Sequence, residues 1–152
     1  MSTTFYRIDR EKKQLFLDRI SEVAKTGETD VIIDVVESRD FEVEIGLRSS
    51  GWKFLWRAHN LKYFNDRESL FEWLKGGQIK DEYGKEYTFE EFMKEIEYFI
   101  YNGYDLSEWY YAHPDRIRYT ENYLSLESKK GEIYQPNEYG EFYIDGLRFT
   151  AR

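Results

Sequence analysis

The sequence contains no cysteine and only two histidines, His59 and His113. Without thiols there is no disulfide, no thiolate nucleophile and no Cys-ligated zinc. The histidines lie far apart and neither has an acidic residue three or four positions on, so a metal centre is not expected. Asp81-Glu82 could touch a hard cation, but EF-hand spacing is missing. No apolar run approaches the roughly 18 residues that cross a bilayer, and the start lacks a signal-peptide core. A cytoplasmic protein with no membrane partner is the expectation. Cations are scarce as well: 22 Lys and Arg face 30 Asp and Glu, a net charge of -8. That balance argues against nonspecific binding to nucleic acid.

Catalytic signatures are equally thin. There is no serine-nucleophile motif, and Gly46 and Gly51 are too isolated to cradle a phosphate. Carboxylates are so frequent that any pair is uninformative. Neither "HNL" nor "HPD" matches the His-x-Thr/Ser motif of two-histidine phosphoesterases. His113-Pro114-Asp115 matches the loop tripeptide of J-domain co-chaperones, but the segment before it is acidic rather than basic. Pro114 reads instead as a chain break, with Asp115 as the cap of the next segment. No residue is assigned a catalytic role, and no cofactor is implied.

What is abundant is aromatic. Fourteen Tyr, 11 Phe and 4 Trp make up 19% of 152 residues, enough to build a core and to leave tyrosines over. Twelve of the tyrosines lie from Tyr83 onward. Tyrosine hydroxyls need water or a partner, so a chain this short should expose many of them. Tyr and Trp dominate binding hot spots because they give large contact area at low entropy cost. Charge is uneven too. Residues 78 to 112 hold nine acids against three lysines, whereas the segment before Gly27 is slightly basic. Such an acidic block is either a solvated helix face or a contact surface, and surfaces of this type can imitate nucleic-acid phosphates.

Local patterns predict an α+β fold in one domain spanning 1–152. Residues 1 to 8 read as a loose start. Asp9 caps a helix through about Thr26, ended by Gly27, with Leu15, Phe16, Ile20 and Val23 as its apolar stripe. "DVIIDVV", "FEVEIGL" and "GWKFLWRAH" read as an antiparallel three-stranded meander over about 31–59. In the third strand, Trp52, Phe54 and Trp56 share one face and Lys53, Leu55 and Arg57 the other. Further helices are expected near 67–75, capped by Asn65 or Asp66, and from Thr88 to about Tyr101, where Thr88 and Glu91 form a capping box. One or two short helices are expected in 104–125, then extended C-terminal pieces with turns at Pro136-Asn137 and Asp145-Gly146. The tripeptide Glu82-Tyr83-Gly84 recurs as Glu138-Tyr139-Gly140 without similar flanks, which points to shared turn chemistry rather than a duplicated domain.

The segments "EIGLRSSGWKFLWRAHN", "LFEWLKGGQIKDEYGKEYTFEEFMKEI" and "FYIDGLRFTAR" resemble, in that order, a family of small uncharacterised proteins encoded by tailed bacteriophages. The resemblance spans about residues 42–150, and its most specific piece is the turn Asp81 to Gly84 before a capped helix. The N-terminal helix at 9–27 extends beyond it. What the resemblance implies is a phage accessory protein in bacterial host cytoplasm, with a host protein as partner. The leading expectation is therefore a non-enzymatic protein that inhibits a host (defence) protein through an acidic, tyrosine-rich surface. The candidate surface residues are Asp81, Glu82, Tyr83, Trp109 and Tyr110. The alternative is a binder that sequesters a nucleotide signal, with Trp52, Trp56, Tyr83 or Trp109 stacking the base and Arg57 or Arg148 meeting the phosphate. Such a pocket would be expected at a homo-oligomer interface.

Overall fold

The computed structural model describes residues 2–27, 40–117 and 123–151. Among these, strands β1 (Ser2–Ile8), β2 (Glu42–Ser49), β3 (Leu55–Arg57), β4 (Gln78–Asp81), β5 (Glu86–Tyr87), β8 (Glu141–Ile144) and β9 (Leu147–Thr150) form one sheet. Its order is β5-β4-β1-β2-β3-β9-β8. Every pairing is antiparallel except β3 with β9, which is parallel. The helices are α1 (Arg10–Thr26), α2 (Arg67–Lys75), α3 (Phe89–Tyr101) and α4 (Leu106–Ala112), with a 3-10 turn at Ala58–Lys62. A separate hairpin pairs β6 (Leu126–Glu127) with β7 (Ile133–Tyr134). The α+β class holds, with an antiparallel-dominated sheet.

The N-terminus is not loose. Ser2–Ile8 is an interior strand, bonded to β2 on one side and to β4 on the other. Its Thr, Phe, Tyr and Ile suit a pleated surface, and Phe5 is fully buried against Phe92, Tyr87 and Phe54. The core continues through Ile45, Trp56, Leu70, Leu74, Ile96 and Phe149. In the β1–β2 ladder, Phe5 faces Gly46 and Tyr6 faces Glu44, so Ile45 is the extra residue of a bulge. Next to it, Gly46 lets β3 approach: a Cβ there would sit 2.3 Å from Leu55 O.

Three further expectations change. The strand expected at 31–36 lies outside the described residues and is not among these changes; the third strand shortens to Leu55–Arg57. Strand alternation stops before it because Lys53 N and Phe54 N bond to Tyr104 O and Phe99 O instead of a neighbouring strand. Trp52 consequently leaves the face of Phe54 and Trp56: those two are buried, while Trp52 lines a surface cleft with Leu55 and Arg148. Helix α1 forms as capped by Asp9 and Gly27, but its apolar stripe is only partly covered. Val23 is buried and Phe16 packs on Phe41, whereas Leu15 and Ile20 are exposed.

Local caps and turns match the sequence closely. Asp66 caps α2, and Thr88 with Glu91 makes the capping box of α3. The Glu-Tyr-Gly echo is one turn used twice. Asp81 Oδ1 accepts from Tyr83 N and Lys85 N, and Asn137 Oδ1 accepts from Tyr139 N and Glu141 N. In both, the glycine has positive φ and donates its N–H to the first residue's carbonyl. A third copy, Ser128 to Glu132, carries lysines in place of Glu-Tyr and closes with the same backbone bonds.

Two glycines therefore do different work. Gly84 needs only a left-handed φ of 86° in open space, while Gly46 needs room. Gly84→Ala should cost about 1 kcal/mol, and Gly46→Ala, an overpacking change, about 2–3 kcal/mol. Urea unfolding of both variants checks the order, and equal costs would contradict it.

Candidate functional site

The sheet order separates the nominated residues into two groups. Asp81, Glu82 and Tyr83 lie in the β4–β5 turn at one edge, whereas Trp52, Trp109, Tyr110 and Arg148 meet near β8 and β9 at the other. Helix α3 spans the distance between them. Tyr83 is 70% exposed. Asp81 is buried and accepts from the Tyr87 hydroxyl, and Glu82 Oε1 accepts from Thr4 N. Hydrogen bonds from Tyr87 and the turn amides outweigh burial and hold the Asp81 carboxyl below its ordinary range. Asp81 and Glu82 thus shape the turn, and only Tyr83 projects.

Two nominated residues join neither group. Trp56 is a core side chain, 1% exposed, which leaves no ring face for a base. Arg57 pairs with Glu44 at 3.0 Å.

The second edge carries a built arrangement. Glu141 and Arg148 form a buried ion pair, with Arg148 Nε 2.6 Å from Glu141 Oε2. Arg148 Nη1 donates to Lys53 O, and its guanidinium lies over the Trp52 ring at 5.6 Å. The other Glu141 oxygen accepts from Leu106 N, in the first turn of α4. Asp105 caps that helix and also accepts from the Tyr143 hydroxyl at 2.5 Å. Lys53 pairs with Glu108 at 2.9 Å. Two carboxylates and one lysine thereby fix α4 to the sheet edge.

On this support the rings stack in series. Trp52 lies against Tyr104 and stacks on Trp109, and Trp109 stacks on His113 at 4.3 Å. His113 Nδ1 is 2.7 Å from Trp109 O, an acceptor, so the imidazole donates from that nitrogen. Tyr110 meets Trp109 edge-on and stacks on Tyr139 at 5.2 Å and 12°. Tyr139 belongs to the second Glu-Tyr-Gly turn, which Asn137 Nδ2 ties to Ser107 Oγ at 3.4 Å. Tyr110, Tyr111, Pro114, Arg116, Ser107 and Tyr139 line a groove of about 330 Å³. Trp52, Lys53, Leu55 and Arg148 border a smaller cleft of about 190 Å³.

Of the residues nominated from sequence, the fold brings Trp52, Trp109, Tyr110 and Arg148 together; Tyr139, Tyr143 and the Glu141–Asp105 supports beside them were not nominated. The available signal was the echo itself, whose second copy sits in the cluster. The acidic block is also thinner than its count. Glu95 and Glu108 pair with Arg48 and Lys53, Asp81 and Asp105 are buried, Glu91 closes a capping box, and Glu82 holds β1. Glu86, Glu90 and Glu97 remain facing solvent. For the nucleotide alternative, the Arg148 guanidinium is already committed to Glu141 and Lys53 O, and Arg57 to Glu44. Among the described residues no cluster of His, Asp and Glu could hold a metal ion, and no helix is long and apolar enough to cross a membrane.

No family model matches the sequence, and no curated protein or solved structure matches it. The likeness to tailed-phage proteins therefore stands on its three sequence segments alone.

Two measurements test the supports. Removing one partner of a buried pair leaves the other uncompensated, so Arg148→Met should cost about 3–5 kcal/mol. The double variant Glu141→Met, Arg148→Met should cost clearly less than the sum of the single variants, read by urea unfolding. Additive costs would mean the pair does not act as a unit.

The second measurement concerns acid. Burial pushes the Asp105 carboxyl up, but hydrogen bonds from Tyr143 and the Glu108 amide, with Lys53 and Arg148 nearby, hold it below its usual range. A carboxyl depressed in the folded chain stabilises the fold above its unfolded pKa, and that stability is lost as pH falls through the folded pKa. Stability should thus decline below about pH 4. Tyr143→Phe raises the Asp105 pKa towards its unfolded value and should remove part of that decline. An unchanged acid profile in Tyr143→Phe would contradict the coupling.

Proposed function

We propose that this is a non-enzymatic binding protein whose contact surface is the tyrosine-rich end formed by α4, the segment 113–117 and the Asn137–Gly140 turn. The observation that carries it is the stacked series of rings on a rigid support, with exposed side chains in the segments that hold it. Tyr111 is 89% exposed, Ile117 80% and Tyr104 41%. Rigid, amphipathic rings of this kind give large contact area at small entropy cost. Glu141 pairs with Arg148, Lys53 with Glu108, and Asp105 holds the Tyr143 hydroxyl, so each of these groups is engaged in a structural contact. That supports a scaffold for recognition over a reaction centre.

The partner class is a protein. The exposed stripe of Glu90, Glu97, Tyr98 and Tyr101 along α3 would favour one with a basic rim, and salt would weaken the encounter. Under the tailed-phage resemblance the partner would be a host protein, inhibited in the bacterial cytoplasm. That part of the reading rests on the resemblance. The nucleotide alternative keeps only the Trp52 cleft, whose roughly 190 Å³ falls short of the 300 Å³ at which ligand pockets ordinarily begin.

A pull-down from bacterial lysate at low salt should return a specific partner with the wild-type chain and lose it with Tyr104→Ala, Tyr111→Ala. Tyr111 is nearly fully exposed and Tyr104 gives up one edge contact with Trp52, so the double variant should stay folded and melt within a few degrees of wild type. Capture of nothing specific, or equal capture by the folded double variant, would overturn the proposal.

A further inference from the structure

We infer that the groove beside the Tyr110–Tyr139 stack binds an extended, proline-containing peptide segment that carries a carboxylate. This rests on the proposed binding role and names the chemistry that the surface selects.

The groove is lined by three tyrosines, Ser107, Pro114 and Arg116, with Arg116 as its one charged lining residue among the described residues. The Trp52 cleft also lacks an acid in its lining, but its Arg148 and Lys53 already pair with Glu141 and Glu108, whereas Arg116 is exposed at the groove. Its charge complement is an anion, and an exposed guanidinium favours a carboxylate through paired hydrogen bonds. The tyrosines add flat rings, and the Tyr111 and Ser107 hydroxyls are hydrogen-bond donors. A polyproline-type segment matches this. Its backbone makes no internal hydrogen bonds, so its carbonyls are free to accept from tyrosine and serine hydroxyls, and its pyrrolidine rings pack on aromatic faces. Its preformed φ also lowers the ordering cost of binding.

The walls are fixed before any ligand arrives. Tyr139 is set by the Asn137 side chain through Tyr139 N, and Gly140 comes next with φ 78°. Asn137 also holds Ser107, and α4 is anchored by Glu141 and Asp105. The two rings, with centroids 5.2 Å apart, leave no gap for an inserted planar base. A nucleotide would also bring more phosphate charge than Arg116 alone can meet.

The test uses three fluorescently labelled decapeptides against the whole chain: alternating proline with two glutamates, the same with lysines for glutamates, and the glutamate peptide with serine for every proline. Anisotropy should give a Kd below about 1 mM for the glutamate–proline peptide. The other two should bind at least about tenfold more weakly, a difference of about 1.4 kcal/mol. Arg116→Glu should invert the preference towards the lysine peptide. Tyr139→Ala should abolish binding, and if its Tm falls, Tyr111→Ala serves as the folded substitute. No binding of the glutamate–proline peptide at 1 mM, equal binding of the serine peptide, or an unchanged preference in Arg116→Glu would each overturn the inference. If the peptides fail while lysate capture still depends on Tyr104 and Tyr111, the peptide class is wrong and the binding surface stands. If capture fails too, both fall.

Discussion

The buried contact between Glu141 and Arg148 is the constraint on which this end of the molecule depends. Burying two charges carries a desolvation penalty that their attraction offsets only when every remaining polar atom also finds a partner. Here both partners are well supplied. Glu141 takes the guanidinium on one oxygen and the Leu106 amide on the other, and Arg148 reaches the Lys53 carbonyl and covers Trp52. Burial still pushes the Glu141 carboxyl up, with the guanidinium offsetting part of the effect. Four separate parts of the chain meet in this pair: β8, β9, the segment before β3 and the start of α4.

A second constraint carries that edge to the rest of the sheet. Phe5 on β1 touches Phe54 beside β3 and Phe92 on α3, so the first strand is packed into the centre of the fold. Helix α3 runs from the β5 edge, where Thr88 caps it, to its last turn, where Phe99 O accepts from Phe54 N, and the loop beyond it, where Tyr104 O accepts from Lys53 N. Those two bonds end the strand alternation at Trp52 and turn its ring towards Trp109. The aromatic series thus depends on where α3 stops as much as on which rings the sequence contains.

Much of the fold was legible because much of it is local. Asp9, Asp66 and Thr88 cap helices through hydrogen bonds to residues three positions away, and Gly84 answers a left-handed turn. What escaped was non-local. The strand at Ser2–Ile8 has no turn or cap to announce it, and its partners start at Glu42 and Gln78. The parallel pairing of β3 with β9 joins residues more than ninety positions apart. The acidic block looked denser than it is because the cations that pair with Glu95 and Glu108, Arg48 and Lys53, come from an earlier strand and its following loop. Trp56 and Arg57 were sound as residue types for stacking and phosphate binding, yet the core and Glu44 already hold them.

The repeated turn shows where local chemistry stops deciding. Asp81–Lys85, Ser128–Glu132 and Asn137–Glu141 share the same closing backbone bonds and the same left-handed glycine. Their third residues nevertheless differ in fate. Tyr83 projects into solvent at an outer edge, Lys130 borders another cleft, and Tyr139 stacks on Tyr110 beside Arg116. The turn supplies a fixed pedestal in each case. It joins the candidate surface only where Asn137 also reaches Ser107 on α4 and where the last residue of the turn, Glu141, is the carboxylate that anchors that helix. Position 141 therefore closes the turn with its backbone and builds the neighbouring wall with its side chain, which couples the geometry of the groove to a single buried residue.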